Sequence, residues 1–167
     1  MDYGSLNRLL RDEARDYGLC DQWYDGWELD CTREELICKY LRGIDFCILH
    51  DYPSLDFIRE NFPLYQLHAN GIYLNDSMDV DCSGMLVSLG SSNLRVTISG
   101  YVSCPLYLRH DSVVDVKVSG GARVFIECYD RVRLNIDCGI DSKVFVYRYG
   151  GSVSFVGNVL IREKSNG

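Results

Sequence analysis

Apolar residues recur every ten positions through the second half of the chain. They form two columns that are two residues apart, the spacing of side chains on one face of a strand. The first column is Leu94, Cys104, Val114, Val124, Leu134 and Val144, and the second is Val96, Leu106, Val116, Ile126, Ile136, Val146 and Val156. Segments rich in Gly, Asp and Ser, which favour tight turns, separate the units. The pattern predicts a repeat of about ten residues, one short strand and one turn.

The residues between these columns, which point to the opposite side of each strand, change character from one unit to the next. They are mostly apolar or aromatic in the units at 105–109, 125–129 and 145–149, with Arg109 and Glu127 as exceptions, and polar in the units at 115–119 and 135–139. This alternation is expected if consecutive strands belong to two different sheets, one with an aromatic outer surface and one with a polar outer surface.

The alternation and the even spacing predict a short two-sheet β-solenoid of about four coils between Ile72 and Ile161. An antiparallel β-sandwich is the structural alternative, because its strands can also cross between two sheets. The pattern breaks at the last unit, where Phe155 places an aromatic ring on the side expected to be polar. Such a break is expected in a terminal coil that caps the repeat and differs from the internal coils.

The first seventy residues carry helix signals instead. A first helix is predicted from the N-cap candidate Ser5 to Gly18, and a second over 32–49, where Thr32 and Glu35 have the spacing of a capping box. The apolar residues of the second helix, through Leu49, would form one broad face. The fold class is therefore segregated α+β, with a helical segment at 1–70 packed on a β-solenoid at 71–167.

Two further signals within this helical segment indicate where one helix ends and the next begins. Tyr52-Pro53 predicts an extended break, because a residue before proline is disfavoured in helical conformation. Ser54 is then a suitable N-cap for a short helix that ends before Pro63.

Composition and charge limit the kinds of partner. Of 167 residues, 47% are hydrophobic and 25% are charged, which is typical of a folded domain. The net charge is −7, and its excess lies in residues 1–70, which contain fourteen acidic and seven basic residues. Nucleic acid is therefore not the expected partner, since binding its backbone needs clustered Lys and Arg. No apolar run reaches the length of a membrane span, and no secretory signal begins the chain, so we expect no membrane association and a cytoplasmic location.

The eight cysteines show no C-x-x-C pair, the spacing that zinc and redox sites commonly use. Structural, reduced thiols are the expected role, with no metal and no cofactor. The three histidines are scattered, and the chain has no nucleotide-binding loop and no nucleophile elbow. The sequence accordingly predicts a protein that is not an enzyme.

The aromatic outer positions are the candidate interaction surface. We call this set the aromatic surface: Tyr107, Phe125, Tyr129, Phe145, Tyr147 and Tyr149. A stripe of this size needs a cover on a folded protein. The candidates are the apolar helix face at 32–49, or another protein, either a second copy or a different chain. We therefore expect protein partners and a homo-oligomer.

The alternative function uses the polar outer surface or a subunit junction. Asp115 and Asp137 lie about one coil apart in the repeat, and paired carboxylates cleave glycosides in other proteins. A carbohydrate-active enzyme, or a protein that sequesters a small ligand, is the competing interpretation.

The stretch "KYLRGIDFCILHDYPS", followed by "GIYLND" and the strand repeat, resembles uncharacterised proteins of phages and mobile elements of gut anaerobes. The resemblance implies a genomic setting and no assigned activity. With the repeat, it predicts an accessory protein that self-associates or binds a host or virion protein, located in the host cytoplasm or the virion.

Overall fold

The structure, a computed structural model, describes residues 1–165. The chain divides into two compact units, and the boundary falls between Asn70 and Gly71. The first unit is helical and the second contains the strands.

Within the described residues the helical unit has six helices. They are α1 (Tyr3–Asp16), α2 (Asp21–Asp25), α3 (Arg33–Arg42), α4 (Ile44–His50), α5 (Leu55–Asn61) and α6 (Leu64–Ala69). The N-cap of α1 is Asp2, and the prediction of Ser5 was wrong. The Asp2 carboxylate accepts the Ser5 backbone N–H at 2.8 Å, so Ser5 is the residue whose amide is capped. Gly18 follows α1 with a φ of 98°, as expected of a residue that ends a helix.

The helix predicted over 32–49 is two helices, α3 and α4, that meet at Gly43. The capping box is confirmed, because Thr32 Oγ1 accepts the Glu35 N–H at 3.2 Å and Glu35 Oε2 accepts the Thr32 N–H at 2.8 Å. Gly43 ends α3 and is followed directly by α4. Leu49, expected on the buried face, is 49% exposed, because the buried face of α4 is formed by Ile44, Cys47 and Ile48 and Leu49 lies beside it.

Ser54 caps α5, as predicted, by accepting the Phe57 N–H at 3.2 Å. The helix α6, which follows Pro63, was not predicted. Its six residues are too few to show a clear helical period.

One buried polar residue connects separate segments of the helical unit. The Asn7 side-chain amide donates to the carbonyl of Tyr3 at 2.8 Å and to that of Cys31 at 2.9 Å. Its oxygen accepts the indole N–H of Trp27 at 2.9 Å. Every polar atom of this buried side chain has a partner, which ties the start of α1 to the segment between α2 and α3.

Residues 1–165 contain eleven strands, all in the second unit. They are β1 (Ile72–Leu74), β2 (Ser77–Asp81), β3 (Leu86–Leu89), β4 (Asn93–Ser99), β5 (Ser103–Leu108), β6 (Val113–Ser119), β7 (Arg123–Cys128), β8 (Arg133–Cys138), β9 (Lys143–Arg148), β10 (Ser152–Gly157) and β11 (Val159–Glu163).

The strands alternate between two parallel sheets, in the orders β1-β3-β5-β7-β9-β11 and β10-β8-β6-β4-β2. Each strand pairs with the strand two places along the chain, one coil away. This is a β-solenoid of roughly four coils, as predicted. Parallel pairing throughout the described strands is incompatible with the antiparallel β-sandwich.

The two apolar columns form the interior of the solenoid. In the central coils the repeat is twenty residues, so Val96 pairs with Val116 and Val116 with Ile136. The opposite sheet has the same repeat, with Leu106 beside Ile126 and Ile126 beside Val146. The side chains of both columns from Leu94 to Val146 are at most 3% exposed. The predicted columns are therefore confirmed over this range.

The column prediction was wrong at Val156, which is 63% exposed. Arg133 pairs with Ser152, nineteen residues later, so the last coil is one residue short on this sheet. Phe155 consequently pairs with Ile136 and takes the interior position, and Val156 pairs with Asp137 on the outer surface. A one-residue change of this kind moves every side chain of a strand to the other face.

A matched pair of isoleucines tests the interior assignment. Ile126 is 0% exposed and Ile140, in a turn, is 98% exposed. We expect Ile126→Ala to lower the free energy of unfolding by about 2–5 kcal/mol, because it removes buried methyl groups and leaves a cavity. Ile140→Ala should change it by less than about 0.5 kcal/mol. Urea denaturation of both variants measures the difference, and equal effects would contradict the interior assignment.

Candidate interaction surface

All six residues of the aromatic surface belong to strands β5, β7 and β9 or to the residue that follows them. The parallel register places them in three columns that run from coil to coil. Phe125 pairs with Phe145, Tyr107 and Tyr147 both pair with Glu127, and Tyr129 and Tyr149 follow their strands in equivalent positions.

The phenylalanines are stacked. The ring centroids of Phe125 and Phe145 are 5.2 Å apart and the ring planes differ by 6°. The Lys143 ammonium lies 5.0 Å from the Phe145 centroid, within the range of a cation–π contact. Both rings are partly buried. The pair therefore stabilises adjacent coils, whatever else contacts the surface.

The tyrosines at the strand ends are stacked more closely, with centroids 4.5 Å apart and planes differing by 4° between Tyr129 and Tyr149. Above Tyr129 lies the Arg109 guanidinium, 4.7 Å from the ring centroid. Tyr129 is 4% exposed, and burial raises the pKa of its hydroxyl. It is the buried member of the aromatic surface, and the other five are partly buried.

Arg109 and Asp130 form an ion pair at the same corner of the solenoid. Arg109 Nε donates to Asp130 Oδ2 at 2.9 Å and Nη2 donates to Oδ1 at 3.1 Å, and Arg109 is 8% exposed. The His110 backbone N–H also donates to Asp130 Oδ2, at 2.9 Å. Burial by itself would raise the pKa of Asp130. The hydrogen bonds from Arg109 and His110 outweigh it and hold the pKa below its ordinary value.

This corner repeats its hydrogen bonding from coil to coil. Asn75, His110 and Asp130 have positive φ angles of 54°, 64° and 55°. Each side chain accepts a backbone N–H from a neighbouring coil: Asn75 from Ser91, His110 Nδ1 from Gly90, and Asp130 from His110. Asn, Asp and His are the residues that tolerate this conformation best among those with side chains. At this corner, outside the strands, side chains therefore add hydrogen bonds between neighbouring coils.

The polar outer surface is formed by β2, β4, β6, β8 and β10. Asp115 pairs with Asn135, whose amide donates to the Asp115 carboxylate at 2.9 Å, and the Ser154 hydroxyl donates to the Asn135 oxygen. Asp137 pairs instead with Lys117, in the neighbouring column. Both carboxylates are exposed and border a shallow, open depression. The alternative function, a carbohydrate-active or ligand-sequestering site on this surface, stays a prediction.

The last coil exposes apolar side chains that sequence reasoning did not place in the site. We call β10, β11 and the turn between them the terminal coil. Phe155 is 46% exposed, Val156 is 63% exposed and Leu160 is 42% exposed. The break in the outer pattern at Phe155 was visible in the sequence. The direction of its side chain depends on the nineteen-residue pairing, which the sequence does not give.

Five of the eight cysteines are buried and have the properties of core residues, while Cys20 and Cys38 are exposed and Cys82 is partly buried. All eight cysteines are free. Burial raises the pKa of Cys47 to about 12 and that of Cys128 to about 11, so both remain protonated and poorly nucleophilic near neutral pH. Within residues 1–165, no three His, Cys, Asp or Glu side chains gather as they would around a metal ion.

Comparison with protein-family models, curated proteins and solved structures found no match to this chain. The predicted relation to phage and mobile-element proteins therefore stays a prediction. Among the described helices, none is both long enough and apolar enough to cross a membrane.

The Arg109–Asp130 pair predicts an acid-dependent loss of stability. Because the folded-state pKa of Asp130 is lowered, its contribution is present above the unfolded-state pKa and is lost as the pH falls through the folded-state value. Asp130→Asn should lower the free energy of unfolding at pH 7, and its deficit relative to wild type should shrink as the pH falls below about 4. Urea denaturation from pH 7 to pH 2.5 measures this.

Asp137→Asn on the exposed polar surface is the matched control, and its unfolding free energy should follow the wild type at every pH. A deficit for Asp130→Asn that stays constant across the range would show that the carboxylate charge is not what stabilises this corner.

Proposed function

We propose that the protein is a non-enzymatic interaction module that self-associates through the terminal coil of its solenoid. The observation that carries the proposal is the exposure of Phe155. Its side chain occupies an interior position, yet it is 46% exposed, while its neighbours in the column, Ile136 and Val116, are 3% and 2% exposed.

The same end of the solenoid presents strand edges. β10 is the last strand of one sheet and β11 the last of the other among the described residues. Edge strands offer backbone N–H and C=O groups to another chain unless charge, proline or a covering segment prevents it. The β10 sequence, Ser152–Gly157, contains no ionisable residue and no proline. Both the backbone groups and the uncharged side chains of the β10 edge are therefore suited to pairing with a strand of another chain.

The aromatic surface remains a second predicted contact site. Its rings already stack on one another along the solenoid, so they have a structural role that needs no partner. The exposed fractions favour the terminal coil, because Val156 and Phe155 present more of their side chains than the partly buried aromatic residues do.

The proposal includes where the protein works. Eight free thiols, several of them buried, suit a reducing compartment, which supports a cytoplasmic location. An accessory protein of a phage or mobile element, which would assemble in that compartment, is the setting we propose on the resemblance noted from the sequence.

A charged edge tests self-association. We expect the wild-type mass, measured by sedimentation equilibrium, to rise with concentration from 19.1 kDa towards twice that value. Phe155→Lys should remain monomeric, because a charge at an interior position of an edge strand blocks further pairing. The matched control is Ile140→Lys, which adds the same charge at a residue that is 98% exposed in a turn, and it should associate like the wild type.

Thermal unfolding of Phe155→Lys separates lost association from lost folding, since a monomer that unfolds cooperatively is still folded. A wild-type protein that stays at 19.1 kDa at millimolar concentration would overturn the proposed function.

A further inference from the structure

We infer that the partner of the terminal coil is a second copy of this chain, and that the two β10 strands pair antiparallel across a two-fold axis at Ser154. This inference rests on the proposed self-association and adds the register of the contact. It follows from the direction of the backbone groups of β10, the alternation of its side chains and its lack of charge.

The backbone of β10 alternates between its inner neighbour and the open edge. The Ser152 N–H donates to the Val132 carbonyl on the β8 side at 2.9 Å. In a strand, alternate residues direct both backbone groups to the same side. Ser152, Ser154 and Val156 therefore face β8, and Val153 and Phe155 direct their N–H and C=O groups to the edge that no strand in residues 1–165 covers.

Side-chain alternation restricts how two such edges can pair. Residues directly opposite each other in an antiparallel pair point to the same face. The interior residues Val153 and Phe155 must therefore oppose interior residues of the second copy, and the outer residue Ser154 must oppose an outer residue. Symmetric registers centred on Val153, on Ser154 or on Phe155 all satisfy the rule. In the register centred on Val153, Phe155 would lie opposite Gly151 of the second copy, which has no side chain to cover the ring.

Packing selects the register centred on Ser154. There Val153 lies opposite Phe155 of the second copy, and Phe155 lies opposite Val153 of the second copy, so both exposed rings are covered by a β-branched neighbour. In the register centred on Phe155, the two rings would lie opposite each other, also a favourable pair, but Val153 would lie opposite Gly157 of the second copy, which has no side chain to cover it. Aromatic and β-branched cross-strand pairs are favourable, and glycine leaves the position empty.

The lack of charge on β10 favours pairing of this strand with its own copy, and the exposed Arg162 and Glu163 of the terminal coil lie on β11, in the other sheet. A two-fold axis brings every residue near its own copy, so any ionised residue close to the axis would be repelled. β10 has none. At the other end of the same sheet, β2 carries two exposed carboxylates, Asp79, which lies 3.5 Å from Arg95 Nε, and Asp81, so ionised groups would meet their own copies in the same arrangement. Of the two open edges of this sheet, the edge of β10 is therefore better suited than that of β2 to pair with the same strand of a second copy.

Disulfide trapping tests the register. Directly opposite residues in a pair without mutual backbone hydrogen bonds have Cα atoms about 4.5 Å apart, within disulfide range. In the register centred on Ser154, this pair is Ser154 with its own copy. Ser152 would lie about 14 Å from its copy, four residue spacings along the strand. Variants Ser154→Cys and Ser152→Cys are made in a background with the exposed Cys20 and Cys38 changed to Ser.

Oxidation with copper–phenanthroline in air joins two thiols and passes two electrons to oxygen. We expect Ser154→Cys to give a covalent dimer in at least tenfold higher yield than Ser152→Cys, identified by the mass of the linked peptide. Ser119→Cys, on the exposed face of the central strand β6, is the control for random collision and should match Ser152→Cys.

The outcomes separate the register from the function. A reversible dimer in sedimentation with no excess of Ser154→Cys cross-linking overturns the two-fold register and leaves self-association standing. A background protein that stays monomeric overturns both. Selective cross-linking at Ser154→Cys that is abolished by adding Phe155→Lys supports both.

Discussion

The twenty-residue coil is the constraint on which the solenoid depends. Parallel pairing brings each residue beside the one a coil later, so a strict period places like residues side by side in both sheets at once. Val96, Val116 and Ile136 become one interior column, and Phe125 and Phe145 become one outer stack. A single spacing thus satisfies the backbone ladder, the apolar interior and the aromatic contacts together.

Departures from that spacing mark the ends of the repeat. Ile72 pairs with Val87, fifteen residues later, and Met78 pairs with Leu94, sixteen residues later, so the first coil is short. At the other end Arg133 pairs with Ser152 after nineteen residues and Val144 pairs with Val159 after fifteen. The nineteen-residue spacing between Arg133 and Ser152 is one residue short of the repeat, so positions that would continue the interior column by a twenty-residue step move to the outer face, and Val156 is exposed.

The sequence predicts the central coils well because three independent signals agree there. These are the recurrence of apolar residues every ten positions, the composition of the turns and the alternation between aromatic and polar outer surfaces. The capping box at Thr32 is equally readable, since it is local. The break at Gly43 is not, because a glycine within an apolar stripe can continue or end a helix depending on packing. The six aromatic residues were correctly grouped on one sheet. The exposure of Phe155 could not be predicted, because it depends on which residue a shortened coil pairs with.

A solenoid cannot avoid having two ends, and the chemistry of each end decides what kind of assembly can form. Two complementary ends would join head to tail and continue without limit, as an open heterologous contact does. Here the exposed acids of β2 distinguish one end of the polar sheet from the neutral edge of β10. In the proposed dimer, the edge of β10 would pair with one copy of itself and leave no further strand of that sheet end to pair. The difference between the two ends would then limit the proposed association to a closed pair.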